Sequence, residues 1–244
     1  MLRGLYTAAS GMMVEALSQE TRANNLANSD TAGFKRSFAL QRSLPQNMVK
    51  RTDNSTIIGS MGMGSLVHKV YTSYEQGGLV QTGRLLDLAI EGEGFFTVET
   101  PEGIFLLRSG ALSLDTDGFL VTESGYRVLG DGGALKLPEG ELEIDEAGLI
   151  YVDDVLAGRI ELMSFADTAA LQQKENGLFE ATENALSIPF TGRVHQGFLE
   201  NANVKVIDEM TRMLTGLRIY EANQRMVQAQ DEILGKAVTI GSLR

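Results

Sequence analysis

The sequence contains no cysteine, no tryptophan and only two histidines among 244 residues. Without cysteine, the chain can form neither a disulfide nor a thiolate metal site. The lack of tryptophan, a common sugar-stacking residue, counts against a glycan-binding site. His68 and His195 stand alone, with no Asp, Glu or His at metal-ligand spacing and no Gly-x-Ser-x-Gly motif beside them. We therefore expect no metal, no cofactor and no histidine-based catalysis.

Proline and long apolar runs are scarce as well. The four prolines, at positions 45, 101, 138 and 189, all lie outside the two ends of the chain. Because proline breaks the hydrogen-bond ladder of a helix, both ends are free to form continuous helices. No apolar run reaches the 18 residues of a membrane span, and residues 4–14 lack the apolar core and cleavage site of a signal peptide. We expect neither membrane insertion nor a cleaved signal.

Acidic residues are concentrated in the middle of the chain. Residues 1–64 carry a net charge of +3 and residues 196–244 a net charge of 0, within a total of -11. The segment between them holds 22 acidic and 8 basic residues, a net charge of -14. Such a surface repels phosphates, so nucleic acid is excluded as a partner. The nearly neutral ends are typical of segments that other protein covers.

The first 28 residues predict a helix with a coiled-coil seam. Apolar residues follow alternating steps of three and four, with one polar exception. This seam comprises Leu2, Leu5, Ala9, Met12, Ala16, Gln19, Ala23 and Leu26. Asn28 and Gly33 indicate the end of the helix and a turn after it. Because an isolated helix of this length is marginal in water, the seam requires a partner.

The C-terminal residues 204–238 predict that partner. The same spacing recurs at Val206, Met210, Met213, Leu217, Tyr220, Gln224, Val227, Asp231, Leu234 and Val238. Asn203 is a candidate N-cap, because its side-chain oxygen can accept from amides of the first turn. The two seams differ in length, so one pair within the chain leaves apolar surface for neighbouring molecules. We expect the first helix to become ordered when the subunit docks.

The middle of the chain changes to a period of two. Short strand candidates alternate with Asp/Gly turns, a pattern typical of an antiparallel all-β domain. Two of these strands flank the turn at Gly77-Gly78, and Asp167 caps a short helix. Residues 115–121 and 145–151 repeat one unit, in which a turn precedes a strand.

These patterns together predict an α+β fold. The N- and C-terminal helices, residues 1–34 and 200–244, pair as a coiled-coil-like helical layer and form the assembly domain. Residues 35–65 are expected to be an extended connector, and residues 66–199 an inserted, acidic, antiparallel all-β domain.

Three patterns resemble parts of known functional sites, but each of them is better explained as a turn. Gly92-Glu93-Gly94 lacks the third glycine, lysine and helix of a phosphate loop. Asp115 to Gly118 begins like a calcium loop, but the later ligands are missing. The acid pairs Glu91/Glu93 and Asp153/Asp154 could serve a glycosidase, yet they only mark turns. We predict that the protein is not an enzyme and has no catalytic residues.

Several motifs resemble the bacterial flagellar basal-body rod and hook family. At the N terminus they are Ser10-Gly11-Met12, Asn25-Leu26-Ala27-Asn28 and Thr31-Ala32-Gly33-Phe34-Lys35. In the middle they are residues 88–96, Arg108-Ser109-Gly110 and residues 118–121. At the C terminus they are Gln196-Gly197-Phe198-Leu199-Glu200, Asn203-Val204, residues 218–221 and residues 231–234. The resemblance covers nearly the whole chain.

The resemblance implies a structural subunit of the hollow flagellar rod, which transmits motor torque. Its partners would be copies of itself, other axial (rod and hook) proteins and the flagellar type III export apparatus. Its location would be the basal body, in the periplasm. Residues 130–138 and the run from Tyr220 favour the proximal rod over the distal rod.

The predicted assembly residues combine both seams with the N-terminal motifs. They are Leu2, Leu5, Ala9, Met12, Ala16, Ala23, Asn25, Leu26, Asn28, Gly33, Phe34, Val206, Met210, Met213, Leu217, Tyr220, Val227 and Leu234. From another class of function, a secreted glycan-binding or hydrolytic β-domain dimerised by its helices is the alternative. A chaperone-like helical adapter would leave the β-domain unexplained.

Overall fold

The computed structural model describes residues 2–51 and 57–242, with a long helix at each end of the chain. Helix α1 spans Leu2–Ala27 and helix α2 spans Val206–Ser242, and the two pack against each other. The predicted α+β class is thus confirmed. None of the described helices combines the length and apolarity needed to cross a membrane.

The described residues between the helices form twenty-one strands. In chain order they are β1 (Ser37–Ser43), β2 (Asn47–Lys50), β3 (Ile57–Met61), β4 (Ser65–Thr72), β5 (Leu79–Gln81), β6 (Leu88–Glu91), β7 (Phe95–Thr100), β8 (Gly103–Leu107), β9 (Leu112–Leu114), β10 (Leu120–Thr122), β11 (Arg127–Gly130), β12 (Gly133–Ala134), β13 (Leu142–Ile144), β14 (Leu149–Val152), β15 (Val155–Arg159), β16 (Leu162–Phe165), β17 (Leu171–Gln173), β18 (Leu178–Ala181), β19 (Ser187–Ile188), β20 (Arg193–Gln196) and β21 (Phe198–Glu200).

The chain divides into two compact units. The helical unit contains residues 1–27, 37–71 and 205–244, and the β unit contains residues 28–36 and 72–204. The chain therefore passes from one unit to the other four times. This division differs from the predicted one, because strands β1 to β3 lie where a separate connector was expected and group with the helices.

The β unit is built on a ten-stranded sheet whose main path runs β17-β18-β8-β7-β11-β10-β9. The pairings within it are antiparallel, as predicted. Its main core is apolar and close to fully buried at residues such as Ile90, Phe96, Val98, Val128 and Ile150. Burial of these large side chains supplies the main favourable free energy of folding.

The predicted repeat at residues 115–121 and 145–151 is confirmed as one turn used twice. In the first copy, an Asp115 carboxylate oxygen accepts from the amides of Asp117 and Phe119, at 2.9 and 2.8 Å. In the second, Asp145 does the same for Ala147 and Leu149, both at 2.9 Å. These turns close the hairpins β9–β10 and β13–β14. Because this oxygen of Asp115 accepts two backbone amides, Asp115 stabilises the hairpin turn, as was favoured over a calcium loop.

The strands beside Gly77-Gly78 form, but they do not pair across that turn. Strand β4 pairs with β1, and β5 pairs with the distant strand β21. Farther along the chain, Asp167 caps the short 3-10 helix Thr168–Ala170, as predicted, by accepting from the Ala169 amide.

Candidate assembly interface and buried ion cluster

The two helices pair antiparallel along a seam that glycine opens at heptad intervals. A β-carbon on Gly4 would lie 3.3 Å from the Gln230 carboxamide, and one on Gly11 would lie 3.0 Å from that of Asn223. Each step of seven residues up α1 therefore matches seven down α2. One heptad farther, a β-carbon on Gly216 would overlap the Glu15 carboxylate. We call this line of contacts the inner seam.

The inner seam of α2 shares half of its positions with the predicted seam. Val206, Met213, Val227 and Leu234 are half-buried, as expected of seam residues. Met210 and Leu217, in contrast, are each 48% exposed, and Tyr220 is 38% exposed. The neighbours Glu209 and Gly216 are buried in place of Met210 and Leu217. The predicted seam includes Met210 and Leu217 because they are apolar, whereas the residues that pack inside, Glu209 and Gly216, are polar or small.

The same offset of one residue occurs on α1. Leu5, Ala9, Met12 and Leu26 are half-buried, whereas Ala16 and Ala23 are exposed. The residues before these two alanines, Glu15 and Arg22, form an ion pair of 2.6 Å against Gly216. Gln19 donates to the Met213 carbonyl oxygen at 2.7 Å. The side chain of Leu2 lies outside the described residues.

We expect Gly216→Leu to separate the two helices, because the new side chain must displace Glu15, Gln19 and Arg22. Overpacking of this kind costs roughly 1–3 kcal/mol. Gly235→Leu is the matched control, since nothing lies within 4 Å of a β-carbon there. Hydrogen exchange of α1 amides should rise in the first variant only. Equal protection in both variants would contradict the close approach at Gly216.

Asn25 and Ser37 connect α1 to the first strand. The Asn25 carboxamide, 1% exposed, donates to the Ser37 carbonyl oxygen at 2.6 Å and accepts from its amide at 2.9 Å. A buried carboxamide with both groups bonded holds the returning chain on the helix. Asn25 thus supports the helical unit itself, which the sequence could not distinguish from an assembly contact.

Gly33 and Phe34 are buried within the β unit. Gly33 adopts a φ of +68°, donates to the Glu200 carbonyl oxygen at 2.7 Å, and has no room for a β-carbon against Ser109. Phe34 is 6% exposed. Asn28 is half-buried and accepts from the Thr31 amide at 3.2 Å. Both burial and a left-handed conformation therefore explain the glycine of the Thr-Ala-Gly-Phe-Lys motif.

Three charged residues meet in the interior of the β unit. Lys35 Nζ and Arg108 Nε each lie 2.6 Å from a different carboxylate oxygen of Glu200, and all three side chains are at most 3% exposed. Lys35 also donates to the Glu75 carbonyl oxygen at 2.9 Å. We call Lys35, Arg108 and Glu200 the ion cluster. It joins three motifs that lie 73 or more residues apart in the sequence.

Backbone groups satisfy the rest of the ion cluster. The Arg108 guanidinium donates to the carbonyl oxygens of Ile90, Gly92 and Gly94. The Gly77 amide donates to Glu200 Oε1 at 2.8 Å. Such saturation is required, because a buried charge without partners is strongly unfavourable.

Burial and pairing act in opposite directions on the two titratable groups of the ion cluster. Burial alone would raise the pKa of Glu200, but Arg108 and then Lys35 outweigh it, and the pKa is lowered. Burial lowers the pKa of Lys35 and Arg108 adds to this, while Glu200 opposes both. The Glu200 carboxylate is therefore held in its charged form.

Asn203 does not cap α2, and its predicted role is corrected. The helix begins three residues later, at Val206. The Asn203 carboxamide instead accepts from the Arg36 amide at 2.7 Å and donates to the Ser73 and Glu75 carbonyl oxygens, both at 2.9 Å. It therefore ties together three segments of the β unit.

Comparison with known proteins matches these regions to flagellar families. Residues 5–35 match the family Flagella basal body rod protein, and residues 89–152 match the D1 domain of the flagellar hook protein FlgE/F/G family. Residues 195–240 match the C-terminal family of the flagellar basal body rod FlgEFG protein. Lys35, Arg108 and Glu200 each lie in one of these three matches.

Similar proteins match over nearly their whole length. The flagellar basal-body rod protein FlgG of Borreliella burgdorferi is 33% identical over 97% of this chain and 98% of its own. FlgG of Bacillus subtilis is 33% identical over 98% and 99%. The chain belongs to the flagellar basal-body rod protein family. FlgF of Caulobacter vibrioides, a rod protein of another name, is 31% identical over 96% of both chains.

Membership in the rod family confirms the predicted structural role and the basal-body location. The glycosidase alternative is not favoured, and its acids have other contacts. Glu91 lies 2.7 Å from the His195 imidazole, which lowers the Glu91 pKa chiefly through this hydrogen bond. Asp153 accepts from the Glu141 amide in a turn where Asp153 and Asp154 both have positive φ. Among the described residues, no group of three or more metal-ligating side chains occurs.

Sequence reasoning assigned no role to Lys35, Arg108 or Glu200, although all three stand in the family motifs. A signal was present, because each charge follows or precedes glycine and apolar residues that predict a buried position. The contact among these three residues could not be predicted from the sequence, because it depends on how three distant segments pack together.

Proposed function

We propose that this rod protein polymerises through exposed faces of its two terminal helices and carries torque within the rod. The exposure of large apolar side chains on α2 supports this proposal. Ile207, Leu214 and Met226 are 79%, 60% and 52% exposed, besides Met210 and Leu217. So many exposed apolar residues on one helix are typical of a surface that another protein covers. No catalysis is part of this function.

The family supplies the partners of this polymer. We infer that the subunit contacts its own copies and other rod or hook proteins, and that the type III apparatus exports it to the periplasm without a cleaved signal. We place it in the proximal rod on the resemblance of residues 130–138 and of the run from Tyr220. Relatives named FlgG and FlgF match at similar identity, so imaging of labelled basal bodies is the decisive measurement.

The combined variant Met210→Glu and Leu217→Glu tests the helical interface. Both side chains are half-exposed, so we expect the isolated subunit to keep its thermal stability. Two carboxylates in a covered seam cost several kcal/mol when neighbours exclude water. Recovery of the variant in purified basal bodies should therefore fall by roughly a hundredfold, the equivalent of about 2.7 kcal/mol.

Gln228→Glu is the matched control, because it adds a carboxylate at an exposed polar position of the same helix. We expect its recovery to equal that of the unaltered protein. Normal incorporation of the Met210 and Leu217 variant would refute assembly through the exposed face of α2.

A further inference from the structure

Helix α2 carries a second seam, which we call the flank seam. It comprises Ile219, Ala222, Met226, Ala229, Ile233, Lys236 and Ile240, at alternating steps of three and four. Four of its positions, Ala222, Met226, Ala229 and Ile233, each precede a half-buried residue of the inner seam by one. The four large apolar side chains are 47%, 52%, 48% and 72% exposed in chain order. The period is that of a coiled-coil seam, which indicates another helix as the occupant.

Helix α1 carries a matching outer seam. It comprises Tyr6, Ala9, Met13, Ala16, Glu20, Ala23 and Ala27. Tyr6 and Met13 are 69% and 75% exposed, and all the others except Ala9 are exposed too. Four alanines among seven positions make this surface shallow. It can accept large side chains from a facing helix at close approach.

Size and charge pair these two seams. In its C-terminal half the flank seam has the large residues Ile233 and Ile240, and the outer seam has the small residues Ala16 and Ala23. Each of these halves also has one charged residue, Lys236 and Glu20. Neither residue forms an ion pair within the part of the chain that the structure describes. Opposite charges within an apolar seam are known to set helix register. The two seams therefore suit one another.

The common orientation of subunits in the polymer decides whether the two seams pair parallel or antiparallel. Subunits of a head-to-tail polymer share one orientation. Since α1 and α2 are antiparallel within the subunit, α1 of one copy is also antiparallel to α2 of the next. Setting Glu20 opposite Lys236 then places Ala23 opposite Ile233 and Ala16 opposite Ile240. A shift of one heptad would place Lys236 against Met13 and Glu20 against Ala229, burying both charges unpaired.

We propose that residues 229–240 of the flank seam of one copy receive residues 16–27 of the outer seam of a second copy of this chain, with Glu20 opposite Lys236. This inference rests on the proposed function and specifies the subunit contact within it. Inside one subunit, the contact of Gly11 with Asn223 sets Glu20 level with Leu214. In the proposed contact Glu20 lies level with Lys236, which is 22 residues farther along α2. The second copy is thus displaced by about 33 Å along the helices. Such a heterologous contact does not close, so it extends a filament.

Charge reversal tests the register. We expect Glu20→Lys and Lys236→Glu each to reduce recovery in basal bodies by roughly tenfold, because each places like charges together. The double variant restores the opposite pair and should return recovery to within about threefold of normal. Single variants without effect, or a double variant that is not rescued, would overturn the proposed pairing.

Cysteine pairs give a second measurement, made clean by the absence of native cysteine. Full-length Ala23→Cys/Ile233→Cys chains in isolated basal bodies should form disulfide ladders between copies on mild oxidation. Ala16→Cys/Ile233→Cys, which reports the register shifted by one heptad, should not. A ladder only in the second pair, or in neither, would overturn the register.

The two proposals can fail separately. If cysteine chains enter the rod without crosslinking, while Met210→Glu/Leu217→Glu still blocks entry, the register is wrong and helical assembly stands. If that glutamate variant enters the rod normally, the proposed function itself fails.

Discussion

Glu200→Gln is expected to lower the free energy of unfolding of the β unit by about 3–5 kcal/mol. Glu200 is the only acid in the ion cluster, and it faces Lys35 and Arg108 at 2.6 Å with 2% of its side chain exposed. The amide keeps the shape but leaves two buried cations without an anion. Urea denaturation of the full-length protein measures this loss.

Glu99→Gln is the control, because it makes the same substitution at an exposed position of the same β unit. Its effect should lie within about 0.5 kcal/mol of zero. Equal stability of the Glu200 and Glu99 variants would mean that the ion cluster contributes nothing net to the fold.

The contribution of Glu200 should also depend on pH. Its pKa in the folded state lies below the ordinary value of 4.5. The stabilisation is therefore complete above pH 4.5, and it is lost as the pH falls from there through the lowered folded pKa. We expect the difference between the unaltered protein and Glu200→Gln to narrow from pH 6 to pH 3. A constant difference over that range would contradict a stabilised carboxylate.

Gly77→Ala is expected to destabilise the β unit by about 3 kcal/mol, the upper end of the usual range for overpacking. A β-carbon at Gly77 would overlap the Asn201 carbonyl oxygen, which is backbone and cannot rotate away. The Gly77 amide also donates to Glu200 at 2.8 Å, so displacing this residue disturbs the ion cluster. A thermal melt followed by near-UV circular dichroism reports the loss.

The next residue provides the matched control. Gly78 has nothing within 4 Å of a β-carbon and no positive φ, so Gly78→Ala should be neutral or slightly stabilising. The opposite order of the two variants would show that the close approach between residues 77 and 201 is absent in solution. From the sequence alone, Gly77 and Gly78 were equivalent turn residues.

Local patterns in the sequence were sufficient to predict the two long helices and the repeated turn. Spacing of three and four predicted both long helices, and the helices begin and end within four residues of the predicted positions. The Asp-x-x-Gly turns were found because an aspartate that accepts two amides and a glycine at positive φ are local requirements. Such features depend on neighbours in the chain and can therefore be read from it.

Which face of each helix packs inside the subunit was decided only by the tertiary structure. The apolar pattern favoured Met210, Leu217, Ala16 and Ala23, yet the inner seam buries Glu209 and Gly216 instead. The helices approach each other closely at Gly216, and this packing leaves Met210 and Leu217 exposed.

The sequence by itself determined the α+β class, the two helices, the turn chemistry and the flagellar rod family. Only the tertiary structure decided that Lys35, Arg108 and Glu200 meet in one buried ion cluster, and that Asn203 ties segments together rather than capping α2. The physical reason is the distance along the sequence between the residues that interact. Helix period and turn preference depend on a few adjacent residues, whereas the partners of a buried charge are set by packing among segments distant in sequence.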